Sequence, residues 1–261
     1  MTHTVASYIS YDLHITEIPG TQHRLMVCCH GYGGDYRIGE VIKAWSHTPA
    51  KIVSFNFPDH SLGNKAYDFH TLRFGSPAEL LPLLYVLKKY IIHAKYDAVD
   101  IYGFSAGGAA IINALGILTK DTHDQALRSI GITAADKEKI LAALKKGLII
   151  LDTPLKSVEE IIACRGSSPE LEFIARTYAQ HRMRPLDSVE YLAGHAFKIL
   201  LYFEKGDEVL SNRDDEIFIA RLTHANKLGT TTILKEKDGG HQGEHKKLWD
   251  AYTHMITGAL P

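Results

Sequence analysis

The sequence predicts an α/β fold with a mostly parallel central sheet flanked by helices, and three observations predict it. Short apolar runs of strand length alternate with segments of helical spacing along most of the chain. One such run, residues 98–104, passes through a single serine directly into the small, apolar stretch 106–115, the pattern of a buried strand feeding a helix packed closely on the sheet. Residues 155–195 then interrupt the alternation with successive helix starts and no strand between them, as an insertion into such a sheet does.

Composition bounds the reading. A chain of 261 residues, 45% hydrophobic and 23% charged, buries a large core as one domain, so a single domain over residues 1–261 is expected, with 155–195 as a helical cap. With 29 basic and 30 acidic residues the formal net charge is −1, which offers no field for nucleic acid or an anionic membrane. The first residues show no basic segment followed by an apolar core, and no stretch approaches the length of a membrane span. Three cysteines make no disulfide framework; Cys28 and Cys29 lie inside an apolar run, and Cys164 is alone. A cytoplasmic protein without metal or other cofactor is the expectation.

The elements follow in order. Residues 5–18 alternate loosely and stop at Pro19-Gly20, as antiparallel edge strands do. Leu25–Cys29 is a continuous apolar run suited to a strand covered on both faces. It opens into His30-Gly31-Tyr32-Gly33-Gly34-Asp35, whose glycines let backbone N–H groups turn toward a ligand, and Ile38, Val41, Ile42 and Trp45 predict a helix beyond it. Residues 51–57 read as the next strand. Ser76-Pro77-Ala78-Glu79 has capping-box spacing and predicts a helix to about Ala94, with Pro82 kinking its first turns or moving its start. Residues 133–146 read as a capped amphipathic helix stopped by Gly147, and 148–151 as a short buried strand. Within the insert, Ser157-x-x-Glu160, Ser168-Pro169 and Asp187-x-x-Glu190 mark helix starts. The alternation resumes with a strand at 197–203, a helix at 212–226, a strand at 230–234 and a last helix carrying Leu248, Trp249, Tyr252 and Ile256.

The stretch Gly103-Phe104-Ser105-Ala106-Gly107 carries the chemistry. A serine forced into a tight strand-to-helix turn takes unusual backbone angles, and neighbours without Cβ let other segments pass close, so its hydroxyl stands at the carboxyl end of the strand. Neither G-x-G-x-x-G nor G-x-x-x-x-G-K-[ST] can be laid on these residues, which excludes the common phosphate cradles.

In that context the five residues form a G-x-S-x-G nucleophile elbow, and the chain resembles the α/β-hydrolases over nearly its whole length. The resemblance implies a triad in the order serine, acid, histidine, with the acid after the strand that follows the cap and the histidine after the last strand. Those places hold Asp207 and His241. The chemistry asks for the same types, since a serine hydroxyl needs a neutral imidazole to accept its proton and the imidazole needs a carboxylate on its other nitrogen. Among the 15 histidines, His60 and His195 compete with His241, while His245, on the final helix, is expected to be solvated. Asp152, closing the strand before the insert, is the rival acid. An oxyanion hole is implied at the N–H of Ala106 and at the glycine loop, where Tyr32, standing where the family has a middle glycine, is the preferred donor and Gly33 the next.

The expected function is therefore metal-free hydrolysis of small carboxylic esters or thioesters with short to medium acyl chains, through Ser105, Asp207 and His241. A non-catalytic binding or receptor protein on the same fold, or an amidase or acyltransferase using the same triad, stays open, as does homo-oligomerisation.

Overall fold

In a computed structural model the described residues are 13–57, 74–120, 124–236, 240–241 and 243–258. Seven strands form one sheet: β1 (Ile15–Ile18), β2 (Leu25–Cys29), β3 (Lys51–Phe55), β4 (Val99–Phe104), β5 (Ile149–Asp152), β6 (Lys198–Glu204) and β7 (Thr230–Glu236), in the order β1-β3-β2-β4-β5-β6-β7. Among the described residues only β1 runs antiparallel, against β3; every other pair is parallel. The six parallel strands thus end on one carboxyl edge, where loops converge.

Successive residues of the fully buried β2 face opposite sides, which explains why it reads as a continuous apolar run. Met26 and Cys28, with Tyr102, Ile150 and Leu200 of neighbouring strands, meet α1 (Ile38–Ser46) and the last helix, α10 (Lys246–Thr257), through Ile42, Trp249 and Tyr252. Leu25, Val27 and Cys29 belong to the larger core on the other face. It is covered by α2 (Leu81–Leu87), α3 (Ala106–Thr119), α5 (Ala134–Lys146) and α9 (Asp215–Ala225), with the short α4 (Asp124–Ser129) between α3 and α5 in sequence. Helix α3 is buried from Ala106 to Leu118, so its lack of a polar face is its packing role.

Several boundaries differ from the sequence reading by a few residues, and near Pro82 the start moves, one of the two outcomes expected there. The segment from Ser76 opens as a 3-10 turn (Pro77–Leu80) and becomes α-helical only at Leu81, with Pro82 in the first turn, where its missing N–H has no partner to lose. The buried Glu79 carboxylate accepts the N–H of Gly75, at 2.5 Å, and the helix ends through a π turn, Lys88–His93, before Ala94. Asp187 does not start a helix either: the short α8 begins at Pro185, the fixed φ of which sets the first turn two residues earlier.

The insert contributes α6 (Val158–Arg165), α7 (Pro169–His181), α8 (Pro185–Ser188) and a 3-10 turn, Val189–Leu192. Its second half packs on α3 and α9, where Ser188 Oγ donates to Asn113 Oδ1 at 2.7 Å and Arg221 pairs with Asp187 at 2.7 Å. Helices α6 and α7 are the pair that reaches over the carboxyl edge. Their root is pinned by Lys156, 2% exposed, which lies 2.8 Å from both Glu160 and Asp215.

Candidate active site

Ser105 joins β4 to α3 with φ 52 and ψ −117, a conformation that costs a side-chain-bearing residue on the order of 1–3 kcal/mol and persists only where the surroundings fix it. They do so through the backbone. The Ser105 N–H donates to the Asp152 carbonyl at 2.9 Å, and the Ser105 carbonyl accepts from Leu155 N–H at 3.0 Å. A Cβ at Gly103 would sit 2.5 Å from Ile111 Cδ1, and one at Gly107 2.4 Å from the Cys29 carbonyl oxygen. The elbow therefore closes only with glycine at both places.

The loops after β6 and β7 bring two further residues to this hydroxyl. His241 Nε2 lies 3.1 Å from Ser105 Oγ, and its Nδ1 lies 2.6 Å from Asp207 Oδ2. With the ring proton on Nδ1, toward the carboxylate, Nε2 is free to accept from the serine. Asp207 is itself fixed, because Oδ1 accepts the N–H groups of Val209 and Leu210, each at 2.7 Å. Burial alone would raise the Asp207 pKa, but the His241 hydrogen bond and those two N–H donors outweigh it and keep the carboxyl below its ordinary value. The loop bearing His241 is held from a second side by Glu208, whose Oε2 accepts the His241 N–H at 3.1 Å, and Phe104 packs against the imidazole at 4.9 Å between centroids.

A cavity of about 320 Å³ opens over Ser105 and His241. Its floor includes Phe104 and Ala106, one wall is Val209 and Leu210, and its roof is Leu155 with Val158 and Ile161 of α6 and Leu171 and Ile174 of α7. The mostly apolar lining suits an acyl chain or small ring. Arg165, Ser168 and Glu170 add polar groups. Tyr32, 44% exposed, also lines it, and its hydroxyl donates to Glu170 Oε1 at 2.6 Å, tying the glycine loop to the first turn of α7. Gly33, the other oxyanion candidate, takes φ 80 in the same loop and lies outside this lining. His30, which opens the loop, turns away: its Nε2 accepts the N–H of Phe57 at 2.9 Å, and Nδ1 faces the Gly31 carbonyl at 2.7 Å.

The rivals lie elsewhere. Asp152 accepts from the Tyr102 hydroxyl at 2.7 Å and pairs with His245, and its side chain neither caps the insert nor touches His241. His195 stacks on Phe197 and does not line the cavity, while His60 falls outside the described residues. His245 corrects the expectation of a solvated histidine: it is 5% exposed at the N-terminus of α10, with Nδ1 2.8 Å from Asp152. Nothing in the local sequence marks that burial, because the strand-end carboxylate that receives it is 93 positions away.

No family model matches the chain, and no curated protein sequence matches it either. Solved structures do. A lipase/esterase from Lactobacillus plantarum superposes over 95% of this chain and 94% of its own, with 14% identity and a TM-score of 0.62. This is the α/β-hydrolase fold. A carboxylesterase from Bacillus cereus matches 99% of this chain and all of its own length at 15% identity and a TM-score of 0.55. Est1E from Butyrivibrio proteoclasticus, solved with ferulic acid bound, matches 94% of each chain at 12% identity and 0.60. On this sheet Ser105 stands at the turn between β4 and α3, and the loops after β6 and β7 carry Asp207 and His241.

Proposed function

We propose that the chain is a serine hydrolase of small carboxylic esters or thioesters, acting through an acyl-enzyme on Ser105. The observation that carries this reading is the continuous contact Ser105 Oγ–His241–Asp207, at 3.1 and 2.6 Å, at the floor of an apolar cavity. Solved α/β-hydrolase-fold neighbours described as esterases and carboxylesterases are consistent with it.

Ser105 Oγ attacks the carbonyl carbon as its proton passes to His241 Nε2. Asp207 stabilises the imidazolium, and the charge developing on the substrate oxygen is received by the N–H of Ala106 and of Tyr32, with Gly33 as the alternative donor. Collapse of the tetrahedral intermediate expels the alcohol or thiol, which takes the proton from His241. Water, deprotonated by the same imidazole, then releases the acid. None of these steps calls on a metal. Amide hydrolysis and acyl transfer use the same groups and are separated by the substrate panel below. A purely binding role leaves the aligned serine, histidine and carboxylate without a purpose.

Roof residues set the acyl length in this account. A cavity of about 320 Å³ under two short helices accommodates short to medium chains. Phe173 and Tyr178, large apolar residues of the same helix, are not part of that lining: Tyr178 is 2% exposed and packs on Phe74 at 5.8 Å. Leu171→Ala is therefore expected to move the optimum toward longer acyl chains by roughly one or two carbons, at about 0.8 kcal/mol per methylene newly accommodated. Tyr178→Ala instead destabilises the fold by about 3–5 kcal/mol with the chain-length profile unmoved. A panel of p-nitrophenyl esters of graded length, with an acyl-thioester and an aminoacyl amide beside it, measures both. Turnover of none of these substrates overturns the proposed function.

A further inference from the structure

Behind the site lies a second histidine–carboxylate pair for which the hydrolytic steps give no task. His245 sits at the N-terminus of α10 with φ 47 and ψ 53, a left-handed conformation that the local fold must hold against its usual cost. Nδ1 is 2.8 Å from Asp152 Oδ1, close enough for an ion pair when the ring is protonated. On the other side Nε2 faces the Gly240 carbonyl at 3.3 Å. The ring stacks on Tyr202 with centroids 4.5 Å apart. Both nitrogens thus look at acceptors, and only the doubly protonated ring serves both.

The two ends of this pair hold the two halves of the site. The Asp152 carbonyl accepts the N–H of Ser105, the residue that attacks, and Gly240 precedes His241, the residue that takes the proton. A single chain of contacts therefore runs from the elbow backbone through Asp152 and His245 to the loop of the base. We propose that His245, as an imidazolium paired with Asp152, is a positioning residue that sets the His241 loop against the Ser105 elbow and makes turnover fall when it loses its proton. This rests on the hydrolase reading of Ser105 and His241.

The surroundings favour the charged ring. Among the described residues the titratable groups acting on it are Asp152 on β5, Tyr202 and Glu204 on β6 and Glu236 on β7; Tyr102 on β4 donates to Asp152, and Lys247 on its own helix pairs with Glu236. Burial opposes the charge, but Asp152, the Gly240 carbonyl and Glu204 prevail and raise the His245 pKa. A raised folded-state pKa means that the pair's contribution is complete below the ordinary histidine value and is lost as pH rises through the raised one. His241 acts in the opposite sense, needing to be neutral, so the pH profile of kcat falls on its alkaline side through His245.

The test measures kcat, KM and their pH profiles for the wild-type protein, for His245→Gln and for Asp152→Asn, beside histidine-selective NMR. His245→Gln keeps a donor toward Gly240 without a titrating group. It is expected to lower kcat by roughly ten- to a hundredfold, the scale of a misplaced catalytic group, with KM little changed, and to lack the alkaline fall. Asp152→Asn removes the anion and is expected to move that fall to lower pH. If His245→Gln does not fold, Asp152→Asn decides alone, and an alkaline limb left where it was overturns the proposal. So does a His245→Gln enzyme with wild-type kcat and an intact limb. In the NMR arm the His245 ring and the Gly240 and His241 amides are expected to titrate together; a ring that titrates while those amides stay still also overturns it. A wild-type protein that turns over no ester defeats the hydrolase reading instead, and leaves the NMR result to judge the pair.

Discussion

Ser105→Ala is expected to abolish turnover of every ester in the panel, with kcat lowered on the order of 10⁶-fold by analogy with serine-protease triads, while the melting temperature and circular dichroism stay at wild-type values. The two halves of this expectation have separate causes. Alanine keeps the Cβ, so it meets the φ of 52 at the elbow with the same strain as serine and disturbs neither the Asp152 nor the Leu155 backbone hydrogen bond. The substitution removes only an oxygen whose partner is His241 Nε2, 3.1 Å away. Whatever the N–H groups around the cavity do for a developing oxyanion they continue to do, which is why such variants keep a small rate above that in water. A variant that retained more than a small fraction of activity on some ester would remove Ser105 from the chemistry.

Asp207→Asn is expected to lower kcat by about 10⁴-fold, far more than the same change at Asp152. The reason lies in which oxygen is already spoken for. Oδ1 accepts two backbone N–H groups at 2.7 Å, so an asparagine places its carbonyl there and turns its NH₂ toward His241. Nδ1 must then accept rather than donate, the ring proton moves to Nε2, and the nitrogen facing Ser105 can no longer take its proton. At Asp152 the contacts are the Tyr102 hydroxyl and His245, so the loss there passes through the position of a loop. Comparing kcat for the two variants across pH measures the difference; the reverse order of damage would make Asp152 the working acid.

Much of this was legible in the sequence because the relevant signals are local. Strand, serine and buried helix are adjacent in the chain, so the turn at Ser105 announces itself in five residues, and the parallel run of β2 to β7 then brings the ends of β6 and β7 to the same edge. The positions of Asp207 and His241 follow from that order together with the family resemblance, without any long-range contact having to be guessed. What escaped was set by contacts between distant segments. The burial of His245 depends on Asp152 and Tyr202, and on α7 the packing of Tyr178 against Phe74 leaves Leu171 to line the cavity. Periodicity identifies an apolar helix face; it does not tell a residue packed on the core from one that looks into a cavity beside it.

Reaction of the purified wild-type protein with a fluorophosphonate, followed by peptide mass mapping, tests most directly whether Ser105 is an activated nucleophile. The reagent asks for an attacking oxygen, a base and an accessible cavity, and nothing about the natural substrate. One phosphonyl group per chain on the peptide containing Ser105 is expected, formed faster as pH rises through the range in which histidine loses its proton and absent in Ser105→Ala. A protein that stays unlabelled, or that carries the group on another residue while Ser105 remains free, contradicts the account.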